Sequence, residues 1–254
     1  MNSNTIIRIG RLLYGFSIVA VGIHQIIIKD FRPEILPPFP AWAHEHVIFA
    51  VVTGVVLVIA GILIAGFRAK KVCIFLGFLF LALFVTCHLP YTLFISPEKV
   101  TNLSVWFAPG ETLAYSGGAF VMAGSFSGKP LSIGRICFSL LMIMFGCSHF
   151  VFPVNVSAMV PKWLGAPMFW TNFVGAALIA SGFAIIFKIW IKTTAWLLAA
   201  MLFLFFLFFH LPDAIQNPSV GHGNEIVRAI ICLQFCGIAM VIAVTNGRQK
   251  NLAF

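Results

Sequence analysis

Long apolar runs with almost no charge constrain the fold of this chain more than any other feature. Of its 254 residues, 61% are hydrophobic and only 9% are charged, whereas about a quarter of the residues of a soluble domain are charged. No soluble core could bury this much apolar surface. The sequence therefore excludes soluble globular, disulfide-scaffold, disordered and nucleic-acid-binding proteins, and predicts an all-α polytopic membrane protein in contact with the lipid bilayer.

Eight runs are long enough to cross a bilayer, which takes about 20 apolar residues. They are predicted at 8–28, 46–66, 72–95, 109–126, 133–153, 168–190, 194–212 and 223–245. The fourth is the weakest, because it contains Glu111 and the pair Gly117-Gly118. The first run contains Gly10 and Arg11 and has no small-residue cleavage pattern, so it is interpreted as a span rather than a cleavable signal.

Charge is distributed unequally between the two sides of the predicted spans. With the N-terminus inside, the inner segments carry cations and no acid: Arg8, Arg11, Arg68, Lys70, Lys71, Lys129, Arg135, Lys188, Lys192, Arg248 and Lys250. All the acidic residues then lie outside: Asp30, Glu34, Glu45, Glu98, Glu111, Asp213 and Glu225. The positive-inside rule predicts that both termini are cytoplasmic, and that the net charge of +9 reflects insertion rather than a polyanion partner.

The two halves of the chain resemble each other. The matching pairs are Ile9-Gly10-Arg11 with Ile133-Gly134-Arg135, His88-Leu89-Pro90 with His210-Leu211-Pro212, and Gly54 and Gly61 with Gly175 and Gly182. Each half has four spans, and an even number of spans returns the chain to the side on which it started. Both repeats therefore begin on the same side of the membrane and are parallel. We therefore expect two four-helix bundles side by side, formed by residues 1–128 and 129–254.

Three ionisable residues recur at the outer ends of spans in each half. They are His24, His88 and Glu111 in the first half, and His149, His210 and Glu225 in the second. Two histidines and one carboxylate form a known metal-binding triad, so these six residues are predicted to bind Fe, Cu or Zn, or a haem if two histidines face each other. Histidines that bond water at helix ends, and glutamates that favour a helix dipole, are the alternative interpretation. One shared site and two separate sites both remain open.

Other polar and aromatic features also keep two interpretations. His44-Glu45-His46 would chelate a metal in an extended segment, or would be an ordinary surface cluster. Cys87 and Cys147 lie towards the outer side and could form a disulfide or bind copper, although buried cysteine usually packs as a small hydrophobe. The phenylalanine-rich segment 203–209 either faces lipid or accommodates a quinone.

The layout resembles the DoxX-like family of small bacterial membrane proteins. The resemblance is carried by the opening Gly10-Arg11, the glycine and histidine that end at His24, the proline-rich outer loop with Trp42, and the glycines of the second span. It covers both halves, so the chain is interpreted as a tandem member. The resemblance implies four-helix units, a redox setting linked to quinone, and a place in the bacterial inner membrane.

Two functions are predicted from these patterns. The first is an integral membrane redox-linked protein, either an oxidoreductase or a redox subunit, with a metal or haem site near the outer face and quinone as a further cofactor. The second is a non-catalytic subunit or assembly factor of a larger envelope complex, with membrane or periplasmic proteins as partners. A transporter is disfavoured, because the acids and histidines all lie outward.

Overall fold

The computed structural model of the protein describes residues 2–67, 69–128 and 131–245. Most of the chain in these ranges is helical, and none of the described residues lies in a strand. The long helices are α1 (Ser3–Ile28), α2 (Val47–Gly66), α3 (Lys70–Ile95), α4 (Phe107–Ser127), α5 (Ser132–Val151), α6 (Pro167–Phe187), α7 (Ile191–Gln216) and α8 (Asn224–Thr245). Four of the basic residues from which the orientation was predicted lie outside the described residues: Arg68, Lys129, Arg248 and Lys250.

Within the described ranges, seven helices are long and apolar enough to cross a membrane. The prediction of a helical membrane protein is thereby confirmed. The long helix that does not qualify is α4, which corresponds to the weak fourth span. Helix α4 buries most of its residues against other helices, so its surface does not need the hydropathy of a lipid-facing helix. The count of eight crossings stays a prediction.

The helices of the two halves pack into a single interior. Helix α4 packs against α3 and α5, and α8 packs against α7 and α1, so the last helix of each half borders the first helix of the other. Glycines permit both contacts: Gly10 approaches Gly237, and Gly117 approaches Gly134. Buried residues from both predicted units, 1–128 and 129–254, therefore belong to the same large hydrophobic cluster. The division into two four-helix units stays a prediction.

Glycine pairs also join helices within each half, at positions that match in the predicted repeat. A Cβ atom on Gly22 in α1 would lie 2.5 Å from the carbonyl oxygen of Gly54 in α2. A Cβ atom on Gly146 in α5 would lie 2.7 Å from the carbonyl oxygen of Gly175 in α6. Small residues at such crossings let the backbones approach closely, which provides van der Waals packing where lipid gives no hydrophobic driving force.

The histidine of each His-Leu-Pro sequence ends a short π-helical turn. Helix α3 is π-helical over Phe84–His88, and α7 is π-helical over Phe206–His210. Proline has no N–H and its ring crowds the carbonyl four residues earlier, so the helix widens before it. Such turns are frequent at functional sites.

Candidate functional site

The loop after α1 folds inward over the end of the helices that the sequence predicts to be outer, and the word outer is used below for this end. We call residues 31–37 the outer plug. All of them except Pro33 are buried, although the segment contains an arginine and a glutamate. Irregular backbone is tolerated at this depth where protein surrounds it. The plug places Arg32 and Glu34 beside the outer ends of α1 and α4.

Arg32 and Glu34 form a buried ion pair that also contacts His24. Arg32 Nε donates to Glu34 Oε1, and both side chains are only 5% exposed. Arg32 Nη1 donates to Nδ1 of His24 at 2.9 Å, so the ring hydrogen of His24 must be on Nε2. That nitrogen donates to the carbonyl oxygen of Gly221 at 2.8 Å. Burial lowers the pKa of the Arg32 guanidinium, but the adjacent Glu34 carboxylate more than offsets this, and the pKa lies above its usual value.

His88 and Thr112 attach the plug to α3 and α4. The Thr112 hydroxyl donates to a backbone carbonyl, with the oxygens of Glu34 and Ala108 both in reach. His88 Nε2 lies 3.0 Å from Thr112 Oγ1, and His88 also has a hydrogen bond with the backbone of Ile35 in the plug. His88 is buried and Thr112 is fully buried. These bonds link the plug to two helices of the first half.

Two further residues of α4 complete the group. Glu111 interacts electrostatically with Glu34 and Arg32, and with Arg228 of α8. Tyr115 lies one turn further inward, and its fully buried hydroxyl has no hydrogen-bond partner among the described residues. We define the outer cluster by its members: His24, Arg32, Glu34, His88, Glu111, Thr112 and Tyr115.

The second half does not form an equivalent cluster. His149 Nδ1 donates to the Phe145 carbonyl of its own helix at 2.8 Å. His210 and Glu225 both interact with Arg228, which lies 3.4 Å from the Glu225 carboxylate. The loop that corresponds to the plug, residues 152–166, begins with the short helix Pro153–Ala158 and has no buried residue. Of the six predicted ligands, His24, His88 and Glu111 lie beneath the plug, whereas His210 and Glu225 interact with each other beside Arg228.

The observed contacts do not suit a metal ion or a haem. In the part of the chain that the structure describes, no group of three or more His, Cys, Asp or Glu side chains could hold a metal ion. Both ring nitrogens of His24 are engaged, and His149 is bonded to its own helix. Ligation by the predicted residues would require these bonds to break. The metal or haem site stays a prediction.

Elemental analysis and an absorption spectrum of the detergent-purified protein test that prediction. A stoichiometric metal or a haem band that disappears in the double variant His24→Ala/His149→Ala would support ligation. Protein without either, before and after metal is added back, would contradict it.

His44 supports the plug rather than forming a chelate with its neighbours. Its Nδ1 lies 2.9 Å from Asp30 Oδ1, and its Nε2 lies 2.8 Å from the Pro37 carbonyl oxygen. His46 instead packs edge-on against Phe49. The segment Ala41–Glu45 is helical, so the extended geometry needed for chelation is not formed.

The cysteines do not form the disulfide that the sequence left open. Cys87 and Cys147 are both free thiols, as are the other four cysteines.

Four members of the outer cluster were not predicted from the sequence: Arg32, Glu34, Thr112 and Tyr115. Arg32 and Glu34 did carry a signal, because they are a charged pair inside a segment, 31–39, that is otherwise apolar and rich in proline. Thr112 and Tyr115 carried none, since uncharged polar residues are ordinary in a span.

An apolar groove is lined by α1, α7 and α8. It consists of two adjoining cavities of about 490 and 350 Å³, which share Leu13 and Leu233. Its outer end is formed by Ile23 and Ile230, and Ile23 precedes His24 in the chain. A groove of this chemistry suits an acyl or isoprenoid chain.

Part of the chain is similar to a known protein family. A family model described as "Domain of unknown function (DUF8561)" matches residues 138–245. The match lies within the second half and includes none of the outer cluster. No curated protein and no solved structure matches the chain. The DoxX-like resemblance stays a prediction.

Proposed function

We propose that the protein is an integral membrane redox-linked protein whose outer cluster binds the headgroup of a quinone. The observation that carries the proposal is the Tyr115 hydroxyl, which is buried and unpartnered in the described structure. It interacts electrostatically with Glu34, Glu111 and Arg32. An unpaired buried donor costs about 1–3 kcal/mol, and a ligand carbonyl oxygen at this position would remove that cost.

The surroundings of Tyr115 provide the other features that such a headgroup needs. Phe80 and Phe235 pack against the Tyr115 ring, with centroids 5.6 and 6.5 Å away, and form an aromatic wall. Glu111 lies near the outer face and is suited to exchange protons. Reducing a quinone to a quinol takes two electrons and two protons. In this proposal the chain exchanges the protons, a partner redox protein supplies the electrons, and the apolar groove accepts the isoprenoid tail.

We also propose eight crossings with both termini in the cytoplasm. The support is that α4 contacts opposite ends of the bundle. At its outer end Thr112 bonds the plug, and at its other end Ser125 accepts a hydrogen bond from Arg11 Nε at 2.9 Å. The outer cluster would then face the periplasm of a bacterial inner membrane, as the DoxX-like resemblance implies, where membrane or periplasmic partners could reach it.

The plug contacts favour a second function, that of a non-catalytic subunit or assembly factor. Arg32, His88 and Thr112 direct hydrogen bonds at plug atoms or at the residues that hold them. A plug with a purely structural role would form the same hydrogen bonds. In that case the wild-type protein binds no quinone.

Replacing Tyr115 by phenylalanine tests the proposed function, because it removes only one oxygen atom. We expect the variant to bind a short-chain quinone about tenfold more weakly than the wild type, since one hydrogen bond contributes roughly 1.4 kcal/mol. The measurement is a titration of the purified protein in nanodiscs.

Tyr14→Phe is the matched control for this titration. Tyr14 is as fully buried as Tyr115, but its hydroxyl donates to the Tyr115 carbonyl oxygen at 2.8 Å. Its loss should lower stability without weakening quinone binding. A wild type without saturable quinone binding would contradict the proposed function, and equal weakening in both variants would contradict the role of the Tyr115 hydroxyl.

A further inference from the structure

Several polar atoms inside the bundle have no hydrogen-bond partner among the described residues. They include Ser17 Oγ in α1, the Tyr115 hydroxyl in α4, and both amide atoms of Gln234 in α8. All three side chains are completely buried. An unpaired polar group is costly in any protein interior and more so at membrane depth, where bulk water is absent. A stable bundle with four such atoms therefore needs partners for them.

These atoms lie on three helices that pack against one another. Helices α1 and α8 cross where Leu13 approaches Gly237. A Cβ atom added to Gly237 would lie 3.0 Å from the Cβ of Leu13. Ser17 lies one turn outward from this crossing on α1, and Gln234 lies one turn outward on α8. Tyr115 is linked to the same region, because its carbonyl accepts the Tyr14 hydroxyl and its ring packs against Phe235.

Ser17 and Gln234 continue the outer cluster inward from Tyr115. Glu111 and Thr112 lie one turn outward from Tyr115 on α4, and Gln234 lies near the middle of α8. Other polar groups in the region are paired: Tyr14 bonds Tyr115, and Ser116 bonds the Gly77 carbonyl oxygen at 2.7 Å. Among the described residues, four of the six buried side-chain atoms without a partner therefore lie where α1, α4 and α8 meet. The other two lie elsewhere: Gln25 Oε1 on the α2 side of α1, and Ser139 Oγ on α5.

We propose that ordered water molecules occupy the place where α1, α4 and α8 meet and form a hydrated path from the outer cluster to Gln234. A buried water makes about three hydrogen bonds to otherwise unsatisfied groups, and the side chains of Ser17, Tyr115 and Gln234 provide both donors and acceptors for it. The Tyr115 hydroxyl can accept from such a water and still donate to a ligand. The path carries protons between the outer end and the middle of the bundle. It goes beyond quinone binding and stands without it.

Hydroxyl-radical footprinting of the full chain in nanodiscs, without added quinone, tests the hydrated path. Radicals formed from ordered water modify adjacent side chains. We expect Tyr115 to be oxidised several times faster than Tyr14, which is equally buried but is bonded to protein. Equal oxidation of the two tyrosines, or oxidation of neither, would overturn the proposal.

The variant Gln234→Met gives a second test by a different readout. Methionine keeps the length of the side chain and removes both unpaired amide atoms. If water bonds the amide, the variant loses thermal stability and Tyr115 is oxidised more slowly. If the interior is dry, the substitution removes two unsatisfied groups and raises stability, and that result would overturn the proposal. Neither readout involves quinone, so its failure is distinguishable from failure of the proposed function.

Discussion

Replacement of Arg32 by glutamine is expected to lower the free energy of unfolding by about 3–5 kcal/mol, the usual cost of leaving one partner of a buried ion pair uncompensated. The variant leaves the Glu34 carboxylate 5% exposed without its cation, and removes the hydrogen bond to His24 Nδ1. Thermal unfolding of the detergent-purified protein measures the loss.

The exposed pair Lys99–Glu98 provides the control for this prediction. Its atoms are 3.8 Å apart and both side chains are about 60% exposed, so Lys99→Gln should leave stability close to that of the wild type. The double variant Arg32→Leu/Glu34→Leu should recover much of the loss, because it leaves no buried charge. If Arg32→Gln were as mild as Lys99→Gln, the plug would not depend on the ion pair.

Replacement of Gly22 by valine is expected to push α1 away from α2 and to lower the free energy of unfolding by about 1–3 kcal/mol, as overpacking does. The new Cβ would meet the Gly54 carbonyl oxygen at 2.5 Å. A backbone atom cannot rotate out of the way, so a helix must shift. The measurement is thermal unfolding, together with the yield of monodisperse protein.

Gly66→Ala is the control for the glycine contact. Gly66 is the last residue of α2, the helix that Gly22 contacts. A Cβ atom added to Gly66 would have no neighbouring atom within 4 Å. We expect this variant to be as stable as the wild type. Unchanged stability of Gly22→Val would show that the close crossing of α1 and α2 is not required.

Sequence periodicity and hydropathy were sufficient to place most of the helices, because seven of the described helices are long and apolar enough to cross a membrane and show it in their composition. Helix α4 is different: glycine and alanine at positions such as Gly117 and Ala119 report on close packing with protein rather than on lipid contact. Helix α4 also lies between the two halves, and its contacts with the second half could not be predicted from the sequence. Repeats in the sequence indicate similar units, but do not indicate which helix of one unit borders the other.

The candidate site was only partly predictable, for a related reason. His24, His88 and Glu111 stood out because ionisable residues are costly at the end of a span. Their counterparts His149, His210 and Glu225 stood out equally, yet they do not converge in the same way. The difference lies in the plug, since Arg32 and Glu34 fold inward whereas the corresponding loop stays exposed. Whether an irregular loop is inserted depends on contacts distant in sequence, which a local pattern does not contain.

Photo-crosslinking with a short-chain quinone that carries a photoreactive group on its ring tests the central claim most directly. The full chain is labelled in nanodiscs, and the modified residues are located by mass spectrometry. We predict labels in the outer plug and in the outer turns of α4 around Tyr115, and competition by unmodified quinone. Labels confined to lipid-facing surfaces, unaffected by the competitor, would contradict a quinone site in the outer cluster and favour a purely structural role for the plug.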